Sequence, residues 1–205
     1  MTQDDWAAAR AAYDRGDYAT ALSLLRTLAA LDDGRAQDQL GVMYENGFGV
    51  TKSPAEAVKW YRRAADQGIP DAQNNLGVMY ENGHGVARDP VAAAQWYRKA
   101  AEQGDANAQH NLGNRYLSGD GIPQDFAEAS NWYRKAADQG HPMAQANLGV
   151  MCERGLGAPK DLVQAQMWFV LSASIFRASE AKSRGLVIRN RDQLAAKMTT
   201  GEIAE

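Results

Sequence analysis

The sequence predicts an all-α fold, an α-solenoid in which helix–turn–helix hairpins stack into a right-handed superhelix. Three observations carry that prediction. Leu-Gly recurs every 36 residues, as Leu40-Gly41, Leu76-Gly77, Leu112-Gly113 and Leu148-Gly149. An aromatic pair keeps the same register, as Trp60-Tyr61, Trp96-Tyr97, Trp132-Tyr133 and Trp168-Phe169, with no insertion between copies. Within each copy the apolar residues fall at helical spacing. A fixed period of this length marks a supersecondary unit that cannot bury its own apolar face and must stack on its neighbours.

Taken in order, residues 1–35 read as a degenerate N-terminal pair, with helices over Trp6–Arg15 and Tyr18–Leu31 around a Gly16-Asp17 turn. Leu24-Leu25 stand there in place of the later aromatic pair. Four full repeats follow at 36–71, 72–107, 108–143 and 144–178, and residues 179–205 read as a C-terminal capping helix and the start of a further helix.

The second full repeat shows how a unit is built. Ala72, Leu76, Met79 and Tyr80 lie on one face of a first helix, and Gly83-His84-Gly85 stops it, since paired glycines permit positive φ. Asp89-Pro90 starts the second helix as N-cap and first-turn proline, and Ser53, Asp125 and Asp161 take the cap in the other copies. Glu56, Glu128 and Gln164 fall three residues after their caps, the spacing of a capping box. Ala93, Trp96, Tyr97 and Ala100 then share a face, so small alanines opposite large rings let the two helices interlock.

Bulk properties narrow the function. The 205 residues are 45% hydrophobic and 23% charged, which excludes a disordered chain. A net charge of −3 offers nothing to a phosphate backbone or an anionic membrane, so nucleic acid is not an expected partner. One cysteine excludes an intramolecular disulfide, and the most apolar run, 167–176, is too short to span a bilayer. The N-terminus is polar and acidic, unlike a secretory leader. The compartment is therefore open: cytoplasmic as the sequence stands, periplasmic or secreted if a leader has been removed.

The pattern Ala-x-x-x-Leu-Gly-x-x-Tyr-x-x-Gly-x-Gly-Val, then Asp-x-x-x-Ala-x-x-Trp-Tyr-x-x-Ala-Ala-x-x-Gly, resembles the Sel-one-like repeat, close kin of the tetratricopeptide repeat. The likeness runs from Ala36 to about Ala173. It implies a solenoid whose concave face binds peptides or protein surfaces, in adaptors of signalling, envelope regulation and host interaction. The fourth copy departs from the pattern. Cys152 replaces Tyr44, Tyr80 and Tyr116, and Ala158 replaces Val50, Val86 and Ile122.

Most eye-catching residues have a structural reading. The aromatic ladder is expected in the core, because each such ring buries roughly 150–250 Å². The Gly-x-Gly pairs lack the strand context of a phosphate cradle and read as turns. Arg62/Asp66, Arg98/Glu102 and Arg134/Asp138 read as exposed i,i+4 pairs. His84, His110 and His141 occupy three different repeat positions, so no metal or cofactor is expected. Cys152 reads as a small residue in a tyrosine slot. Ser179-Glu180-Ala181-Lys182 matches Ser-x-x-Lys, which keeps a β-lactam or peptidoglycan-fragment hydrolase using Ser179 and Lys182 as an alternative, though its companion motifs are absent. A second alternative is an oligomerising assembly module.

The remaining candidate is a carboxamide stripe on the first helices. At 100° per residue, Asn75, Val78 and Asn82 flank the core stripe. The equivalents are Gln39/Val42/Asn46, Asn111/Asn114/Ser118 and Asn147/Val150/Arg154. Amides offer both donors and acceptors to an extended peptide. The resemblance to tetratricopeptide domains, where the asparagine just before Leu-Gly takes this role, implies Asn75, Asn111 and Asn147 as first choices. The expected function is a non-catalytic scaffold for a protein or peptide partner.

Overall fold

The computed structural model describes residues 3–176 and 180–199. Among them are eleven α-helices and no strand. The chain divides into two compact units, Met1–Gln103 and Gly104–Glu205. The first holds α1 (Gln3–Asp14), α2 (Tyr18–Ala30), α3 (Gly34–Asn46), α4 (Pro54–Asp66), α5 (Pro70–Asn82) and α6 (Pro90–Glu102). The second holds α7 (Ala106–Ser118), α8 (Phe126–Asp138), α9 (Pro142–Arg154), α10 (Leu162–Ile175) and α11 (Ala181–Ala195). Within the units the helices pair as hairpins, α1/α2 through α9/α10, and α11 packs on α10. This is the all-α, helix–turn–helix repeat architecture of the α-solenoid class.

The expected caps form. Ser53 accepts from the Glu56 N–H at 3.3 Å, Asp89 from Ala92 at 2.9 Å, Asp125 from Glu128 at 3.0 Å and Asp161 from Gln164 at 2.9 Å. The reciprocal arm of a capping box does not form. Each cap's own N–H donates instead to a carbonyl of the preceding helix: Ser53 to Tyr44, Asp89 to Tyr80, Asp125 to Tyr116 and Asp161 to Cys152, at 2.8 to 3.0 Å. That bond closes the hairpin and leaves the glutamates free for other work. Glu56 pairs with Lys59 at 2.6 Å, and Glu128 accepts from the Trp132 indole at 3.1 Å.

The turns require their glycines. Gly83 ends α5 in the left-handed region at φ 67°. Gly85, at φ 70°, lies against the first turn of α4, and a Cβ there would come within 2.4 Å of the Pro54 carbonyl oxygen. Any side chain would push that contact apart.

The core is the second ring of each aromatic pair. Tyr61, Tyr97, Tyr133 and Phe169 are at most 1% exposed. Each lies over a Leu-Gly glycine: Cβ atoms built on Gly41, Gly77, Gly113 and Gly149 would stand 2.5 to 2.6 Å from the ring carbons. The first ring differs. Trp60, Trp96 and Trp132 are half-buried, with Arg63, Lys99 and Lys135 over their faces at 4.9, 4.0 and 3.8 Å. Only Trp168 is buried.

Two polar features depart from the sequence expectation. Arg62 donates to the Tyr80 hydroxyl and Arg134 lies over Trp168, so neither makes the expected i,i+4 pair with Asp66 or Asp138. A partly desolvated ring or hydroxyl holds a guanidinium better than a carboxylate standing in water. The second feature, absent from the sequence reading, is a glutamine ladder that runs from exposed donors to buried acceptors. Gln67 donates to Gln37 at 2.9 Å, Gln103 to Gln73 at 2.8 Å and Gln139 to Gln109 at 2.8 Å. Ile175 stands at the next donor position, and the buried Oε1 of Gln145 has no partner.

Candidate functional site, a carboxamide face on the first helices

In the first unit the stripe lies on α3 and α5. Asn75 is half-buried and donates through Nδ2 to Asp38 Oδ1 at 3.1 Å. Burial lifts the Asp38 carboxyl to about 7; the Asn75 bond opposes this, and the charges of Asp71 and Glu45 add to it. Glu45 accepts the Tyr61 hydroxyl at 2.6 Å, and burial first, then that carboxylate, raises the phenol. Gln39 is half-buried and hydrogen bonds the Tyr13 side chain. Asn46 and Asn82 are exposed. Their amides donate to their own helices, to the Val42 carbonyl at 2.9 Å and the Val78 carbonyl at 3.0 Å. Val78 is half-buried beside them.

In the second unit the stripe lies on α7 and α9 and is built around histidine. Asn114 Oδ1 accepts the Tyr133 hydroxyl at 2.7 Å and Asn147 Nδ2 at 3.3 Å. Asn147 Nδ2 also lies 3.3 Å from His110 Nε2, and Asn111 hydrogen bonds the same ring. His110 stacks on His141 at 4.6 Å between centroids, and His141 Nδ1 caps α9 by accepting from the Ala144 N–H at 3.1 Å. An accepting Nδ1 demands a neutral ring, and burial supplies one: His141 is lowered, and His110 falls to about 4 through burial and the neighbouring His141 charge.

Asn75 and Asn147 are therefore joined to the preceding first helix within their units, and Asn114 and Asn111 are tied into the same network as Asn147. Asn46 and Asn82 stand apart from these networks. Asp38, Glu45, His110 and His141 were missed by the sequence reading. Asp38, Asn74, His110 and Ala146 do share one repeat position, directly before the amides, which is the signal that could have found the first and third. Ser179 lies outside the described residues, and Lys182 is exposed on α11.

A pH effect follows from the neutral histidines. His110 binds protons less readily folded than unfolded, so stability falls as pH drops from about 6.5 to about 4. His110→Asn, the residue type of the equivalent Asn74, is expected to flatten that acid limb in melting curves taken between pH 4 and 7. An unchanged slope would deny His110 this role.

The helical-repeat class is refined by comparison with known proteins. The Sel1 repeat family matches at residues 34–69, 70–105, 106–141 and 142–175, and the chain belongs to that family. It is similar to a Sel1 repeat protein of Oxalobacter formigenes, at 37% identity and TM-score 0.75, over 81% of this chain and 68% of that one. It is also similar to a protective antigen of uropathogenic Escherichia coli that displays an SLR fold, at 41% identity and TM-score 0.74, over 77% of this chain. It spans 34% of that protein's length. A Sel1 repeat protein of Klebsiella pneumoniae, 21% identical with TM-score 0.58, shares the fold over 95% of this chain and 97% of its own. No curated protein sequence matches.

Proposed function

We propose that this chain is a non-catalytic interaction scaffold that holds a peptide or protein partner against the carboxamide face of its first helices. Membership of the Sel1 repeat family supports a protein-interaction role. The observation that carries the site is the state of Asn46 and Asn82. Each is exposed and uses one amide N–H on its own helix. Among the described residues, each keeps a second N–H and an Oδ1 without a partner, the pair of groups that an extended backbone requires. Within the first unit Asn75 and Gln39 set the shape of the face behind them and Val78 supplies an apolar contact; Asn111, Asn114 and Asn147 form the corresponding face of the second unit.

This division of labour decides the experiment. Replacing Asn75, Asn111 and Asn147 would disturb internal hydrogen bonds as well as binding. Asn46→Ala with Asn82→Ala touches exposed positions, where substitutions typically change stability by less than about 0.5 kcal/mol. Peptides selected from a display library on the full chain are expected to bind this double variant at least tenfold more weakly, with the melting temperature held. Wild-type affinity in the variant would remove this face as the binding site.

A further inference from the structure

Where the third repeat meets the fourth, an arginine has lost its usual companion. In the first unit Tyr44 accepts from Arg26 Nη2 at 3.2 Å, and Tyr80 accepts from Arg62, whose Cζ also lies 5.6 Å from its ring centroid. Arginine and tyrosine are 18 residues apart both times. The arginine recurs as Arg134, but Cys152 takes the tyrosine position. A second truncation accompanies it: Ala158 is exposed where Val50 and Val86 pack on their cores.

These two small residues leave a cavity of about 290 Å³, lined by Arg134 on α8, Met151 and Cys152 on α9, the Leu156 and Ala158 turn, and Gln164 on α10. An apolar cavity of roughly 150 Å³ admits a benzene ring, so a substituted phenyl group has room here. The polar groups at the cavity are available. Among the described residues, Arg134 makes no hydrogen bond, its guanidinium resting 5.5 Å over Trp168. Asp161 at the rim is already engaged as the N-cap of α10.

We infer that this cavity is a vacant tyrosine slot and receives the phenol side chain of a tyrosine from a protein partner, with Arg134 donating to its hydroxyl. The occupant is read from the chain itself: two equivalent positions hold this ring against this arginine. The site is separate from the carboxamide face and stands whether or not that face binds peptide. No covalent step is involved; burial raises the Cys152 thiol, which keeps it protonated and uncharged as a wall of the slot.

The test uses p-cresol as probe, titrated into the full chain and followed by amide NMR. Saturable shifts centred on Cys152 and Arg134 are expected, with N-acetyl-tyrosinamide competing. Toluene and the phenylalanine analogue are expected to bind about tenfold more weakly, because they lack the hydroxyl that Arg134 addresses. Cys152→Tyr should abolish p-cresol binding and raise the melting temperature. Ala158→Val, a smaller filling, should weaken binding several-fold and serves if the first variant does not fold. Asn46→Ala with Asn82→Ala should leave p-cresol binding unchanged. Absence of saturable binding, equal affinity for toluene, or wild-type affinity in a folded Cys152→Tyr or Ala158→Val variant would overturn the inference.

Discussion

Replacing Gly113 by alanine is expected to destabilise the protein by about 1–2 kcal/mol, although glycine-to-alanine changes within helices usually stabilise. The usual gain is about 1 kcal/mol of helix propensity. Against it stands overpacking, which costs about 1–3 kcal/mol and occasionally more. The added Cβ would lie 2.6 Å from the Tyr133 ring, which is 0% exposed. That ring cannot swing aside cheaply, because its hydroxyl is tied to Asn114 at 2.7 Å. Gly149→Ala meets a Phe169 ring at the same 2.6 Å without a hydroxyl tether, and should lose less. Gly185→Ala in α11 meets nothing within 4 Å and should gain several tenths of a kcal/mol. Urea denaturation of the three variants reads all of this, and a Gly113→Ala protein as stable as wild type would remove the close-packing account of the Leu-Gly motif.

Asp38→Asn should raise stability at pH 8 by on the order of 2–4 kcal/mol and leave it almost unchanged near pH 4, at about 1.36 kcal/mol per unit of pKa displacement. The carboxyl is lifted from 3.8 to about 7, chiefly by burial. Between those values the folded chain holds a proton that the unfolded chain has released. Stability in wild type therefore falls as pH rises through that window, and remains reduced above it. An asparagine is neutral throughout, can still accept from Asn75, and already serves as Asn74 in the next repeat. Denaturant midpoints at pH 4 and pH 8 check the result. A gain equal at both values would mean that packing, rather than ionisation, sets the difference.

Much of the fold was legible because it is written locally. Asp89-Pro90 and Gly83 bound their helices where cap chemistry requires, and the repeating Leu-Gly and Tyr positions located the core. What escaped was pairing over distance. The capping boxes looked complete within four residues, but the cap N–H groups found carbonyls on the neighbouring helix. The arginines looked paired within one turn, but a hydroxyl 18 residues on held Arg62. Helical spacing grouped the carboxamide stripe but could not give its internal partners: Asn75 meets Asp38 at 37 residues' separation, and Asn147 meets Asn114 at 33. A helical wheel describes one helix, and these bonds are made between two.

The glutamine ladder gives the molecule a direction of growth. Every rung is a donor reaching back to an acceptor 30 residues earlier, and the series stops at Gln145 with an unfilled acceptor. A duplicated repeat spliced between existing copies would arrive carrying both halves of a rung and leave no loose ends. A splice of another length placed inside a rung would part its donor from its acceptor, whereas insertion of a whole module keeps every 30-residue spacing.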